Sequence, residues 1–424
     1  MDKTTLLYGH VRQNIILKNL IRITALIIFL GGLAFSARAG FSALYAFGDG
    51  VCTTTNNAYP GVQYYGKRYT NGRVWLEVLA QRQGLAYDYT KNRSFYGNYS
   101  TILVTNISKF VAPSDVANDL FVIWVCDADF VSDMGAISPY SNLTAWNNAI
   151  ALSLTNHYSI ITNLYAKGVR TLILPTAVDI TEVPYYSGMS SVSDKAFIRG
   201  RCNYFNTNLV ALVDQIKKLH PDLKIYVPDI FSLLDNVLTN AASYGLTNAL
   251  LNGHTTYATS YYGTQAATNG LGTNFVFWDY LDPTAQMHEV IADTVQQMIS
   301  PVQISSLAQV NGSNQLNIVN MPVGLNGYLD GSTNLAQASN WTLVTNFNST
   351  STAQSIFVVT PPLPAGFGAG GSGGSGGLSG PPIPGQGSGS SSGSGSGSSQ
   401  TSTFNSQVAV QFYRLRFPYA WNWP

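Results

Sequence analysis

The sequence predicts an α/β protein built on a parallel sheet and followed by a small antiparallel β-sandwich. Two observations carry the first part. Continuous apolar runs of strand length, such as Phe121-Val122-Ile123-Trp124-Val125, lack the alternation of a half-exposed strand and read as strands buried on both faces. They alternate with longer stretches of helical periodicity, the order that produces parallel strands joined by crossover helices. A third observation carries the second part. From about Pro301 the helical periodicity stops, and short strand candidates separated by turn residues take over.

In chain order, Lys18 and Arg22 precede an apolar run over residues 23–35, which ends in Ala37-Arg38-Ala39 before Gly40. Residues 1–39 therefore read as a secretory signal peptide. The run is shorter than the roughly 20 apolar residues of a membrane span. Cleavage after Ala39 is expected, giving a secreted or cell-surface protein without a span. Leu44-Tyr45-Ala46-Phe47-Gly48-Asp49-Gly50-Val51 is an apolar run that breaks into a tight turn, and in an open α/β sheet the carboxyl ends of strands collect ligands. A helix is expected over residues 73–83. The strand at 121–125 should then deliver Asp127 and Asp129 to the same rim as Asp49.

Residues 146–167 read as a helix stopped by Gly168, 171–175 as a strand, 194–219 as a helix closed by His220-Pro221, and 224–228 as a strand. A closing helix over 289–299 completes a domain spanning 40–300. Beyond it, strand candidates at 316–319, 327–330, 342–345, 355–360 and 407–417 make up a β-sandwich module over 301–418. The module contains a Gly/Ser/Pro-rich insert at 364–402, which cannot bury enough apolar surface to order itself, and residues 419–424 form a tail.

With 424 residues, 45% hydrophobic and 10% charged, the chain can bury one large core and a smaller one. A net charge of +1 with no basic stripe argues against a nucleic-acid partner. Asn, Ser, Thr and Tyr supply the polar surface, a composition compatible with an extracellular setting and sugar-like ligands. The three cysteines, Cys52, Cys126 and Cys202, cannot all pair in an oxidising compartment. Cys52 and Cys126 follow strands expected to be neighbours and are near enough to bridge; alternatively all three are small buried hydrophobes. No Cys-x-x-Cys spacing marks a metal thiolate site.

Four later stretches give the first turn its meaning: Asn71-Gly72-Arg73-Val74-Trp75-Leu76-Glu77, Asn92-Arg93-Ser94-Phe95-Tyr96-Gly97, Ile123-Trp124-Val125-Cys126-Asp127-Ala128-Asp129-Phe130, and Phe277-Trp278-Asp279-Tyr280-Leu281-Asp282-Pro283-Thr284. In this order and spacing they resemble the GDSL (SGNH) ester hydrolase family over about residues 43–300. Asn240-Ala241-Ala242-Ser243-Tyr244-Gly245-Leu246-Thr247-Asn248 also looks like a segment of that family. The resemblance implies a flavodoxin-like, three-layer SGNH-hydrolase fold and hydrolysis of carboxylic ester bonds of lipids or acylated carbohydrates. It sets the family's serine at Gly50, its asparagine at Ala128, its aspartate at Asp279 and its histidine at Asp282. The oxyanion donors fall on Gly50, Gly97 and Ala128. Only the glycine at 97 and the aspartate at 279 are kept. Gly331-Ser332-Thr333-Asn334-Leu335, Asn340-Trp341 and Phe412-Tyr413-Arg414-Leu415-Arg416 resemble a C-terminal β module of exported bacterial proteins, which serves attachment or spacing.

Ser-His-Asp chemistry needs a hydroxyl, a base that titrates near neutrality, and a carboxylate to orient that base. Gly50 has no hydroxyl, and an aspartate with an ordinary pKa of roughly 4 is a poorer base than an imidazole near 6.5. Cys52, Thr53, Thr54 and Thr55 are displaced from the oxyanion donors and are expected to cap or pack. His288, six residues after Asp282, sits about 1.7 helical turns from the rim and is expected to be structural. What the substitutions leave is a set of carboxylates: Asp49, Asp127, Asp129, Asp279 and Asp282. Either Asp49 and Asp129 bond loop amides while Asp127 and Asp282 are solvated, or the five hold a divalent cation. Three functions stay open. One is a catalytically degenerate hydrolase that binds a glycan or acylated polymer. Another is an active ester hydrolase using non-family or metal-assisted groups, and the third is a structural surface protein. No other cofactor is expected.

Overall fold

The computed structural model describes residues 40–54, 63–311, 313–332, 341–359 and 412–418. The signal segment at 1–39, the insert at 364–402 and the tail at 419–424 lie outside the described residues.

Strand β1 (Leu44–Gly48) is buried along its length, as its unbroken apolar run requires. It pairs in parallel with β2 (Leu120–Trp124), in a register running from Leu44 opposite Leu120 to Gly48 opposite Trp124. β3 (Thr171–Ile173) and β4 (Lys224–Tyr226) extend the sheet, also in parallel, in the order β1-β2-β3-β4. On the other edge of β1, a single parallel bridge joins Ala46 to Asn92, with the Arg93 amide donating to the Ala46 carbonyl at 2.8 Å. A flavodoxin-like order places its second strand here, so that strand is reduced to one bridge, and the first and third strands are neighbours as expected.

The connecting helices are α1 (Trp75–Arg82), α2 (Ser100–Lys109), α3 (Cys126–Ala136), α4 (Leu143–Ala166), α5 (Val192–Leu219), α6 (Ile230–Thr239) and α7 (Ala285–Ile299). Residues 121 and 124 of β2 point to opposite faces of the sheet because successive side chains alternate. Phe121 stacks with Tyr45 at 4.9 Å and meets Phe110, at the end of α2, edge-on at 5.9 Å. On the opposite face Trp124 meets Trp75 of α1 at 5.5 Å. α1 packs on α7, while α2 packs on α4 and α4 on α5. The sheet is covered on both sides, which is the expected three-layer arrangement. Among the described residues no helix is long and apolar enough to cross a membrane.

Of these helices, α2, α3 and α6 were not anticipated. α3 starts directly after β2, so Asp127 and Asp129 occupy the first turn of a helix and not a loop. Carboxylates are favoured there by the unsatisfied amides of the helix start. The closing helix begins at Ala285, earlier than its apolar periodicity indicates, because the Thr284 hydroxyl accepts from the Met287 amide at 3.2 Å and caps it.

The C-terminal module consists of β5 (Gln303–Val310), β6 (Ser313–Val319), β7 (Asn326–Ser332), β8 (Thr342–Asn348), β9 (Ala353–Val359) and β10 (Phe412–Arg416). They form two antiparallel sheets ordered β9-β6-β5 and β8-β7-β10. Leu316, Ile318, Leu329, Ile356, Val358 and Leu415 form their shared core. β5 has no counterpart in the sequence reading, because its polar, mostly exposed residues carry no strand alternation. Buried Asp330 accepts from Arg416 Nε and Nη2 at 2.5 and 2.9 Å and from Arg414 Nε at 2.9 Å. These bonds, Arg416's first, hold its carboxyl below the ordinary range.

The module is joined to the sheet domain at the end of α1. Arg82 Nε donates to Asp293 Oδ1 of α7 at 2.6 Å, and its Nη1 donates to the Val323 carbonyl at 3.3 Å. The Val323 amide returns a bond to the Arg82 carbonyl at 3.2 Å. Gly324 has φ +90°, and a Cβ there would lie 2.4 Å from Gln81 Nε2, so both conformation and contact call for glycine.

Candidate functional site

The site grows from the turn after β1. The Asp49 amide donates to the Trp124 carbonyl at 3.0 Å, and Asp49 Oδ1 accepts from the Val51 amide at 3.2 Å, capping a single 3-10 turn at Gly50–Cys52. The Asn92-to-Gly97 stretch wraps this turn. Ser94 Oγ accepts from the Gly48 amide at 2.8 Å, and Asn98 Nδ2 donates to the Gly48 carbonyl at 3.0 Å. Asn92 Nδ2 donates to the Cys52 carbonyl at 2.8 Å, and Thr53 Oγ1 to the Ser94 carbonyl at 3.0 Å. Two motifs over forty residues apart in sequence are thereby made into one rigid turn.

The second half comes from the loop before α7. Asp279 Oδ1 accepts from the amides of Leu281 and Asp282 at 2.9 and 2.8 Å, a local turn in which a short carboxylate substitutes for backbone. The turn presents Asp282 to Gly50. A Cβ on Gly50 would stand 3.3 Å from a Tyr96 ring carbon, 3.6 Å from Asp282 Oδ1 and 3.8 Å from a Tyr69 ring carbon. A cavity of about 410 Å³ opens over this point. Asp49, Gly50, Tyr96, Gly97, Asp127, Ala128 and Asp282 are among its lining residues, and Val131, Val178, Ile180, Val183, Ile230 and Leu234 supply apolar wall.

The structure thus brings Gly50, Gly97, Ala128 and Asp282 to one cavity, together with Asp49 and Asp127, while Asp279 stands behind as the organiser of the turn. The acids do not behave as surface groups. Burial, reinforced by Asp127, pushes Asp49 well above the ordinary carboxylate range. Burial, reinforced by Asp279 and Asp49, does the same to Asp282. Asp127 is raised by burial even though its Oδ1 accepts from the Val178 amide at 3.0 Å. Burial also raises Asp279.

Several expectations are corrected. Asp127 and Asp282 are buried, not solvated. The five-carboxylate cation site is not assembled: among the described residues no three His, Cys, Asp or Glu side chains gather so as to hold a metal ion. Asp129 is turned away from the cavity, accepting from the Ser100 amide at 2.8 Å and from Ser153 Oγ at 2.6 Å, so it ties α3 to α2 and α4. Asp279 is occupied by its own turn. Of the two readings of the cysteines the second holds: all three are free and buried, and no Cys52–Cys126 bridge is formed. Cys52 Sγ accepts from Trp75 Nε1 at 3.3 Å, Cys126 Sγ faces the Pro175 carbonyl, and burial raises each thiol above its usual range.

His288 is structural, as expected. It is 1% exposed, its Nδ1 accepts from the Trp75 amide at the start of α1 at 3.2 Å, and burial pushes its pKa down to about 3. Sequence reasoning missed Tyr69 and Tyr96, whose rings lie 5.4 Å apart beside Gly50. Tyr96 stands next to Gly97 in a motif already singled out, whereas Tyr69 has no spacing that marks it. Asn71 was likewise unassigned. Its Oδ1 accepts from the Ala285 amide at 2.8 Å and so anchors the start of α7 beside the site.

Residues 44–295 match the family model described as GDSL-like lipase/acylhydrolase. A GDSL esterase/lipase of Arabidopsis thaliana is 24% identical over 356 residues, covering 65% of this chain and 93% of that protein. Among solved structures, the lipase Lip_vut3 from a goat rumen metagenome is 10% identical, covering 61% of this chain and 97% of that one, with a TM-score of 0.36. Axe2, an acetylxylan esterase from Geobacillus stearothermophilus, is 12% identical, covering 61% and 96%, with a TM-score of 0.35.

Proposed function

The chain belongs to the GDSL-like lipase/acylhydrolase family, and from that premise we propose that it is an exported, catalytically degenerate member that binds a small, partly apolar ligand without turning it over. One observation carries this reading. The cavity and the turn that shapes it are intact, yet the residue beneath it is Gly50, with no hydroxyl, and the group facing Gly50 is a carboxyl where an imidazole would be needed. Among the described residues, neither Thr53 nor Cys52 of the turn replaces the missing nucleophile. Thr53 Oγ1 is committed to the Ser94 carbonyl, and Cys52 is a buried thiol held by Trp75, with its pKa raised. A thiol kept protonated in this way is a poor nucleophile.

The test is fluorophosphonate labelling of the full chain alongside turnover of a p-nitrophenyl ester. Neither labelling nor turnover is expected. A stoichiometric adduct on Cys52 or Thr53 overturns the reading. A second reading, ester hydrolysis through non-family groups, is favoured by Asp282, a buried carboxyl that holds a proton more tightly than usual and faces the cavity. Ester turnover that disappears in Asp282→Asn would establish it. Export rests on the sequence of residues 1–39. N-terminal sequencing of secreted protein should begin at Gly40, and an intact Met1 terminus in a membrane fraction would overturn it.

A further inference from the structure

We infer that the cavity takes an organic cation carrying an apolar tail, an alkylammonium or related amine, with its charged head above Gly50 against Asp282. The inference rests on the reading of the cavity as a binding site and names the ligand class.

The head-group position is defined by what surrounds Gly50. The point where a side chain would begin lies within 4 Å of two tyrosine rings, Tyr96 and Tyr69, and of Asp282 Oδ1. The two rings are tilted by 55° to each other. Aromatic walls with a carboxylate are surroundings in which proteins hold desolvated ammonium groups, quaternary ones above all.

Charge points the same way. Three carboxyls, Asp49, Asp127 and Asp282, line the cavity, and among the described residues no Lys, Arg or His does. Asp49 and Asp127 each accept a backbone amide, from Val51 and Val178. Asp282 is 5% exposed, faces the cavity, and among the described residues its side chain accepts no hydrogen bond and meets no cation. A buried carboxyl without either is costly, and a cation seated beside it relieves that cost. Among the described residues the groups around Asp282 are Asp49 from the turn after β1, Asp279 from its own turn, and Tyr64, Tyr69, Tyr96 and Tyr280. None is positive. A fatty-acid carboxylate would add a further acid to three carboxyls whose burial already opposes negative charge. A metal ion needs several close oxygen ligands, which the described residues do not gather. The cavity's apolar walls, Val131, Ile180 and Leu234 among them, are suited to an alkyl tail, and about 410 Å³ is ordinary for a small-molecule site.

Calorimetric titration of the full chain with three probes sharing one tail decides it: octyltrimethylammonium, octyl glucoside and octanoate, each below its micellar concentration. The cation is expected to bind at least about tenfold more tightly than the other two, and Asp282→Asn to weaken it about tenfold or more, the scale of losing one partner of a buried charge pair. Equal affinity for the neutral or anionic probe, no binding of the cation, or an unchanged affinity in folded Asp282→Asn overturns the inference. The three-probe comparison on the unaltered protein stands even if the variant does not fold. Ester turnover is measured in parallel. Turnover with cation selectivity intact removes the degenerate reading alone, and no turnover with no cation selectivity removes this inference alone.

Discussion

Asp282 Oδ1 lies 3.6 Å from where a Cβ on Gly50 would stand, so the two positions that the family resemblance assigns to nucleophile and base still face each other. Gly50→Ser combined with Asp282→His should therefore restore a hydroxyl beside an imidazole, with the Tyr96 ring yielding a few tenths of an ångström. Appearance of p-nitrophenyl ester turnover about 10²-fold or more above the unaltered protein is the expected outcome, together with fluorophosphonate labelling at residue 50. Either substitution alone should give neither, because nucleophile and base act as a unit.

Removing the buried carboxylate tests its cost. Asp282 has its folded pKa raised, first by burial, so its contribution to stability is complete below the unfolded value of 3.8 and is lost as pH rises toward the folded pKa. Asp282→Asn keeps the shape and removes the charge. Melting curves at pH 4 and pH 8 should show the variant more stable than the unaltered protein at pH 8, with the advantage shrinking at pH 4.

His288 has the opposite sign. Its pKa is pushed down from 6.5 to about 3 by burial, so its contribution is present above 6.5 and is lost as pH falls through that window. Urea denaturation should show stability falling with acid by up to about 1.4 kcal/mol per pH unit from this group. His288→Gln should remove that slope, and above pH 7 cost about 1–3 kcal/mol by leaving the Trp75 amide poorly paired. Asp293, raised to about 6, slopes the other way, so the difference between the two proteins is the quantity to read.

Arg82 and Asp293 form an ion pair with side chains only 3% and 2% exposed. Arg82→Met leaves Asp293 buried alone and should cost about 3–5 kcal/mol in denaturant titration. Arg82→Met with Asp293→Leu should recover much of the loss, since a matched apolar pair carries no desolvation penalty.

Thiol reactivity checks the cysteines. All three are buried and their pKa values are raised, so Ellman's reagent should find no reactive thiol in the native chain and three in denaturant.

What the sequence revealed depended on whether the signal was local. β1 and β2 were legible because strands buried on both faces have unbroken apolar runs, and α4 because its apolar residues recur at helical spacing. α3 was hidden: Cys126-Asp127-Ala128-Asp129 is too polar for its period to register, and its position is decided by the strand it follows. Gly50 and Asp282 were found through motif order. The burial of Asp282 was not, because exposure depends on Gly50, Tyr69 and Tyr96 being brought beside it from distant parts of the chain. The cation site failed for a related reason: Asp129 spends its oxygens on Ser100 and Ser153, which no spacing rule connects to it, and Asp279 spends one on its own turn.

The junction at Arg82 and Val323 alters what a shortened protein would mean. A cut after residue 300, where periodicity changes, looks like a way to isolate the sheet domain. It would take away the acceptor of Arg82 Nη1 and the donor to the Arg82 carbonyl, at the end of a helix whose first amide is bound by His288. α1 is thus a strut fixed at both ends, one end under the cavity-bordering helix and the other in the module. Ligand measurements on a fragment lacking the module would report on a strut released at one end, so the whole chain is the unit in which affinity is a property of the native site.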